Sequence, residues 1–222
     1  MWVVRLVHQR KTPHAITPNP AYLKVITPAG EVLRFRNPVE PSFLVEWSHR
    51  LYSSDNYSIS LTGGEPLFQL GLLVSTAEEL KSEGFKLYLE TNGSMPEHAA
   101  KVAHLLDYCC CDIKDESANA ADDWRKLVEL ELETIRILSD SGVAIFAKVV
   151  VTSNTKLENI EWYSRELSRL DCPMCIQPVT PKNGYYPPSF QQLCALTELA
   201  ARYLGSENIS ISIQAHKFLD IL

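Results

Sequence analysis

Thr62-Gly63-Gly64-Glu65-Pro66 follows directly on Tyr57-Ser58-Ile59-Ser60-Leu61. The preceding run reads as a strand. The two glycines allow a sharp turn at its end and let a ligand approach the backbone. Glu65 sets a carboxylate there, and Pro66 fixes the chain as it enters a helix. A lone Gly-Gly pair would be an ordinary turn beside a surface Glu. The five-residue string is much more specific.

Outward from this turn, strands and helices alternate. The pattern predicts helices over about 42–51, 68–83, 96–106, 122–139, 157–170 and 189–204. It predicts strands over 57–62, 86–91, 108–113, 143–152, 174–179 and 209–214. Trp124, Val128, Leu132, Ile135 and Leu138 recur at steps of three and four, which places them on one helical face. Several strands are apolar at successive positions, as strands covered on both faces tend to be. Residues 1–41 differ. They hold six prolines and little periodicity, and read as an irregular lead-in with a hairpin of 21–25 and 32–35. The regular part is 42–222. The fold class is α/β with a parallel sheet.

Composition narrows the function. With 21 Lys and Arg against 27 Asp and Glu, the net charge is −6. That argues against broad nucleic-acid binding, which needs a basic face to neutralise phosphates. No run of about 18 apolar residues is present. The N-terminus does not have the order of a signal peptide, so a cytoplasmic location is expected. Six cysteines, three of them consecutive at 109–111, do not make a disulfide scaffold in a chain of 222 residues.

In parallel α/β folds the ligand site gathers at the C-terminal ends of the strands. Five strand ends carry unusual residues. After Thr62–Pro66 come Glu90-Thr91-Asn92-Gly93, Asp112-Ile113-Lys114, Gln177-Pro178 and Gln214-Ala215-His216-Lys217. Asp112 and Lys114 lie on one side of a strand, and either pair with each other or hold a polar ligand. Lys148 interrupts the apolar run 143–151, where a lysine needs a partner.

These segments, in this order, resemble the radical S-adenosylmethionine (SAM) enzymes of the 7-carboxy-7-deazaguanine synthase family. Thr62–Pro66 followed by Gln69 is similar to the family's SAM-binding turn, and Gln214-x-His216-Lys217 to its C-terminal ending. The resemblance implies a partial (β/α) barrel lacking its first βα unit. It implies SAM, a [4Fe-4S] cluster and Mg²⁺ as cofactors. The implied reaction converts 6-carboxy-5,6,7,8-tetrahydropterin to 7-carboxy-7-deazaguanine in deazapurine tRNA nucleoside biosynthesis. A homodimer served by flavodoxin or ferredoxin is implied too. By carry-over, Gly63, Gly64, Glu65, Asp112, Ile113, Lys114, Gln177 and Pro178 face SAM. Thr62, Gln69, Glu90, Asn92, His216 and Lys217 face the pterin.

The family's Cys-x3-Cys-x2-Cys cluster motif belongs upstream of Thr62, yet no cysteine precedes Cys109. Cys109, Cys110 and Cys111 alternate faces of a strand and cannot converge. Cys172-Pro-Met-Cys175 is a weak metal pair, and His8 and His14 lack an acidic or thiol partner nearby. Two expectations follow. Either Met1 is internal to a longer product whose missing part carries the cluster, or the chain is a SAM- or pterin-binding module or a partner-dependent subunit. A third reading is an activase of a glycyl-radical enzyme, against which the C-terminal motif argues.

Overall fold

The computed structural model describes residues 3–5, 22–181 and 184–214. Seven strands form one parallel sheet: β1 (Val3–Arg5), β4 (Ile59–Thr62), β5 (Leu87–Thr91), β6 (Tyr108–Lys114), β7 (Ala144–Val151), β8 (Met174–Pro178) and β9 (Ile209–Ile211). The hairpin β2 (Tyr22–Ile26) and β3 (Val32–Arg36) stands apart as a two-stranded sheet. The helices are α1 (Pro41–Leu51), α2 (Leu70–Ser82), α3 (Pro96–Val102), α4 (Trp124–Asp140), α5 (Leu157–Arg169) and α6 (Phe190–Leu204). The edge beside β4 carries three residues of β1. The chain from there to the hairpin lies outside the described residues, as do His216 and Lys217.

The strand order β1-β4-β5-β6-β7-β8-β9 advances in one direction. Crossovers between parallel strands are right-handed. A one-way order therefore sends every connecting helix to the same face. Neighbouring helices then pack on one another, α1 on α2, α3 on α4 and α5 on α6. Burial follows the two-residue period of the strands. On β5, Leu87, Leu89 and Thr91 are buried under helices, while Tyr88 and Glu90 are half-buried on the inner face. Strands covered by helices on both faces, as their apolar runs suggested, are not what forms. Among the described residues, the inner face is lined by Thr62, Glu90, Asp112, Lys114 and Lys148 instead of a second helical layer.

The core lies between sheet and helices. Leu61, Leu89, Ile113, Val149 and Ile176 meet Leu73, Leu80, Ile135, Leu138, Ile160 and Leu167 there. The helices have physical starts. Asp123 caps α4 by accepting from Lys126 N–H at 3.0 Å. Ser189 and Gln192 form a capping box on α6. Phe35 of the hairpin packs edge-on against Phe43 of α1, with ring centroids 4.8 Å apart, and also meets Trp47.

One glycine is needed for a close approach. Gly93, at the end of β5, has φ +68° and lies against α4. A Cβ there would sit 2.6 Å from Cys111 Sγ and 3.0 Å from Glu131 Cα. Thr134 of α4 donates its hydroxyl to Gly93 O at 2.7 Å. Gly142, at φ +82°, would meet nothing within 4 Å. Gly93→Ala is therefore expected to cost about 2–4 kcal/mol, left-handed strain plus overpacking. Gly142→Ala should cost only about 1 kcal/mol. Urea denaturation of the two variants checks this. Equal losses would show that the contact with α4 is not the cause.

Candidate functional site

Glu65 joins the ends of two strands. Thr91 Oγ1 and Leu67 N–H donate to its Oε1 at 2.7 and 3.1 Å, and Asn92 N–H donates to Oε2 at 2.7 Å. Burial pushes its carboxyl above the ordinary range, against these three bonds, which favour the anion. Gly63 and Gly64 both take positive φ, 104° and 59°, so the turn needs glycine at each. Asn92 turns its own side chain back, with Oδ1 accepting from Ser94 N–H at 2.9 Å and Ser94 Oγ at 2.7 Å. Thr62 Oγ1 donates to Glu90 Oε2 at 3.0 Å across the inner face.

The next strand end carries the positive charge. Lys114 Nζ lies 2.5 Å from Asp112 Oδ2, and Lys148 Nζ lies 2.8 Å from Asp112 Oδ1. Burial opposes ionisation of Asp112, but the two ammoniums hold its carboxyl below the usual carboxylate range. Burial likewise works against charge on Lys148, and Asp112 together with Cys110 and Glu90 more than offsets it, so the ammonium persists. The ion pair of Asp112 and Lys114 and the partner needed by Lys148 are thus one cluster.

Two carboxylates behind the inner face secure this end. Glu131 of α4 is fully buried, and Lys114 N–H donates to its Oε2 at 3.0 Å. Among the described residues its Oε1 has no hydrogen-bond partner. Burial pushes the carboxyl up to about 8, which the Lys114 N–H offsets only in part. Asp115 is 1% exposed and collects five donors. Ser117 N–H, Ser117 Oγ and Thr155 Oγ1 reach Oδ2 at 3.1, 2.5 and 2.9 Å, and Asn159 Nδ2 and Tyr163 OH reach Oδ1 at 3.1 Å each. Neither acid is evident from strand-end motifs. The signal for Glu131 is its spacing from Val128 and Ile135, which puts an acid on the buried stripe of α4.

The remaining residues named from the sequence divide. Gln177, 9% exposed, lies on the inner face at the end of β8 and accepts from Ser212 Oγ at 3.4 Å. Pro178 and Ile113 continue their strands, with Ile113 fully buried. Gln69 is half-buried at the start of α2 and makes no capping bond. Gln214 is placed with Thr180 Oγ1, which donates to its Oε1 at 2.5 Å.

The described cysteines do not form a cluster site. Cys109 and Cys111 face the helices, and Cys110 faces inward in register with Glu90. Cys175 pairs in register with Lys148 on the inner face, whereas Cys172 lies before β8 and donates to Ile145 O at 3.9 Å. Burial pushes the Cys110 and Cys172 thiols up to about 12 and those of Cys109 and Cys111 well above their ordinary value. Neutral buried thiols are poor ligands for iron. Clefts among the described residues open elsewhere. One of 220 Å³ lies at the C-terminal rim beside Ser117, Asn119 and Asn154, and one of 760 Å³ at the opposite end beside Tyr57, Tyr108 and Phe146.

A one-way parallel sheet with helices on one face and charged strand ends on the other defines the fold of the radical SAM enzymes. A radical SAM methyltransferase from Sphaerobacter thermophilus matches it with a TM-score of 0.57 at 15% identity, over 78% of this chain and 56% of that one. No protein-family model matches the chain. Sequence relatives are more specific. The chain is 45% identical over 186 residues to the 7-carboxy-7-deazaguanine synthase of Thermococcus kodakarensis, covering 84% of this chain and 72% of that protein. It is 34% identical over 183 residues to that of Methanocaldococcus jannaschii, covering 78% and 71%. The chain belongs to the 7-carboxy-7-deazaguanine synthase family.

The burial of Glu131 has a pH signature. Its folded-state pKa, about 8, lies above the unfolded value of about 4.3. Its contribution to stability is therefore complete below the unfolded value and is lost as pH rises toward 8. The loss should run at about 1.4 kcal/mol per pH unit. Glu131→Gln removes this titration. Its stability relative to the wild type, from denaturant unfolding at pH 5 to 8, should rise steadily with pH. A difference that stays constant with pH would show that Glu131 is ionised throughout.

Proposed function

We propose that this chain binds SAM and 6-carboxy-5,6,7,8-tetrahydropterin, and serves their conversion to 7-carboxy-7-deazaguanine for deazapurine tRNA nucleosides. The observation that carries this is the placing of Glu65, after β4, and of Asp112 and Lys114, at the end of β6, on the same edge of the sheet with the end of β5 between them, each held by hydrogen bonds. An amino acid moiety presents an ammonium and a carboxylate. The glycine backbone of Gly63 and Gly64 beside Glu65, which a ligand can approach closely, suits the first, and Lys114 the second. Gln177 and Pro178 complete the SAM side, where Ile113 offers only its backbone because its side chain packs in the core under the helices. Thr62, Glu90, Gln69 and Asn92 form the pterin side, with His216 and Lys217 assigned to it from the sequence motif. Mg²⁺, a homodimer and an external flavodoxin or ferredoxin belong to the same reading.

Hydrogen abstraction in this class comes from SAM reduced by an iron–sulfur cluster. The described residues hold no ligand set for that cluster, and no cysteine precedes Cys109. The contribution of these residues is therefore binding and orientation. That same observation favours a second reading, a SAM- or pterin-binding module that lacks radical chemistry of its own or works with a partner.

Calorimetry with SAM tests the binding claim. The wild type should bind, and Lys114→Met should weaken binding about tenfold or more, as loss of a hydrogen bond to a charged group does. Absence of SAM binding would overturn the SAM assignment. Anaerobic reconstitution with iron and sulfide should give no charge-transfer absorption. Stable cluster formation would overturn the ligand argument and the second reading together.

A further inference from the structure

Lys148 is the one charged residue of β7, whose other residues are Ala144, Ile145, Phe146, Ala147, Val149, Val150 and Val151. Register with Asp112 on β6 and Cys175 on β8 puts it in the middle of the inner face. Its side chain is 22% exposed. A lysine so placed costs stability unless its charge is shared.

Asp112 shares it only in part. One carboxylate oxygen faces Lys148 and the other is held by Lys114. Two ammoniums thus divide one carboxylate. A structural ion pair at this strand end needs a single lysine, and Lys114 supplies it. An ammonium carries three donors. Asp112 is the one ion-pair partner that the described residues give Lys148.

The opposite charge lies across the same face. Glu90 on β5 is in register with Cys110, two residues before Asp112. Glu90 and Lys148 are therefore two strand spacings across and two residues along from each other, about 12 Å between their backbones. Cys110 and Asp112 of β6 lie between them on this face, with the Glu90 carboxylate at one side and, at the other, the Lys148 ammonium, which divides Asp112 with Lys114. A flat ligand with hydrogen-bond donors at one edge and an anion at the far end matches both.

We propose that Lys148 is the seat of the substrate's carboxylate, and that it sets which way round the bicyclic ring lies, with the amino-oxo pyrimidine edge toward Glu90. This rests on the carboxypterin reading above. It adds a specificity-determining residue that no strand-end motif contains. Lys114 remains on the SAM side, so the two lysines that share Asp112 serve two different carboxylates.

Fluorescence titration of the full chain with 6-carboxypterin and with 6-hydroxymethylpterin tests it. The wild type should prefer the carboxylate by about 10- to 100-fold, the range of a hydrogen bond between charged groups. Lys148→Met should remove this preference while leaving 6-hydroxymethylpterin binding within about twofold. Lys148→Arg, which keeps the charge and the fold, should retain most of the preference. Equal weakening of both ligands by Lys148→Met, or no effect on either, would overturn the proposal. If the wild type binds neither pterin, the carboxypterin reading fails, and a second measurement still judges Lys148. In protein with ¹³C-methylated lysines, its signal, assigned with Lys148→Arg, should shift with benzoate and not with benzamide. An unmoved signal would overturn the carboxylate seat.

Discussion

The carboxylate of Glu65 ties the end of β4 to the end of β5, and the order of the binding edge depends on that bond. Parallel strands end in backbone N–H groups that the sheet no longer pairs. Glu65 takes the N–H of Asn92 and of Leu67 and the hydroxyl of Thr91. The same solution recurs along the edge. Glu131 takes the N–H of Lys114, and Asp115 gathers the chain after β6 onto α5. Three acids thus do from the side and from behind what ladder bonds do inside the sheet. Burial raises Glu65 and Glu131 above ordinary carboxyl values, so the edge is held in order at some expense of stability.

The one-way strand order is what gives that edge a ligand to meet. It commits all helices to one face and leaves the inner face polar. The cluster of Asp112, Lys114 and Lys148 sits there, in the same sheet as buried neutral thiols. The alternation of strand residues separates Cys110 from Cys109 and Cys111, and places Cys175 beside Lys148 while Cys172 stays on the chain before β8. Cysteine content alone would suggest metal chemistry. Pleat and burial assign these thiols to packing.

Much of the fold was legible in the sequence because its helices carry strong periodicity and its strands end in special residues. The hairpin around Pro28–Gly30, the long helix α4 and the strand ends at Thr62, Thr91, Lys114 and Pro178 were all readable. Boundaries moved where a first turn is irregular. The helix expected from Phe68 opens as a 3₁₀ turn over Pro66–Gln69, and the helix from Pro96 stops at Val102 before a 3₁₀ turn. The open inner face was not legible, because apolar runs look alike whether one face or two are covered. Of the site, Glu65, Asp112 and Lys114 stood out as motif residues. Glu131, Asp115 and the sharing of Asp112 by Lys148 did not, since they depend on contacts between distant segments.

A crystal structure of the chain with SAM bound tests the central claim most directly. The claim is that the ordered strand ends form the ligand site. The predicted result is the methionine amino group against Gly63–Glu65 and its carboxylate at Lys114. Density in the cleft beside Tyr57, Tyr108 and Phe146, at the opposite end of the strands, would contradict it.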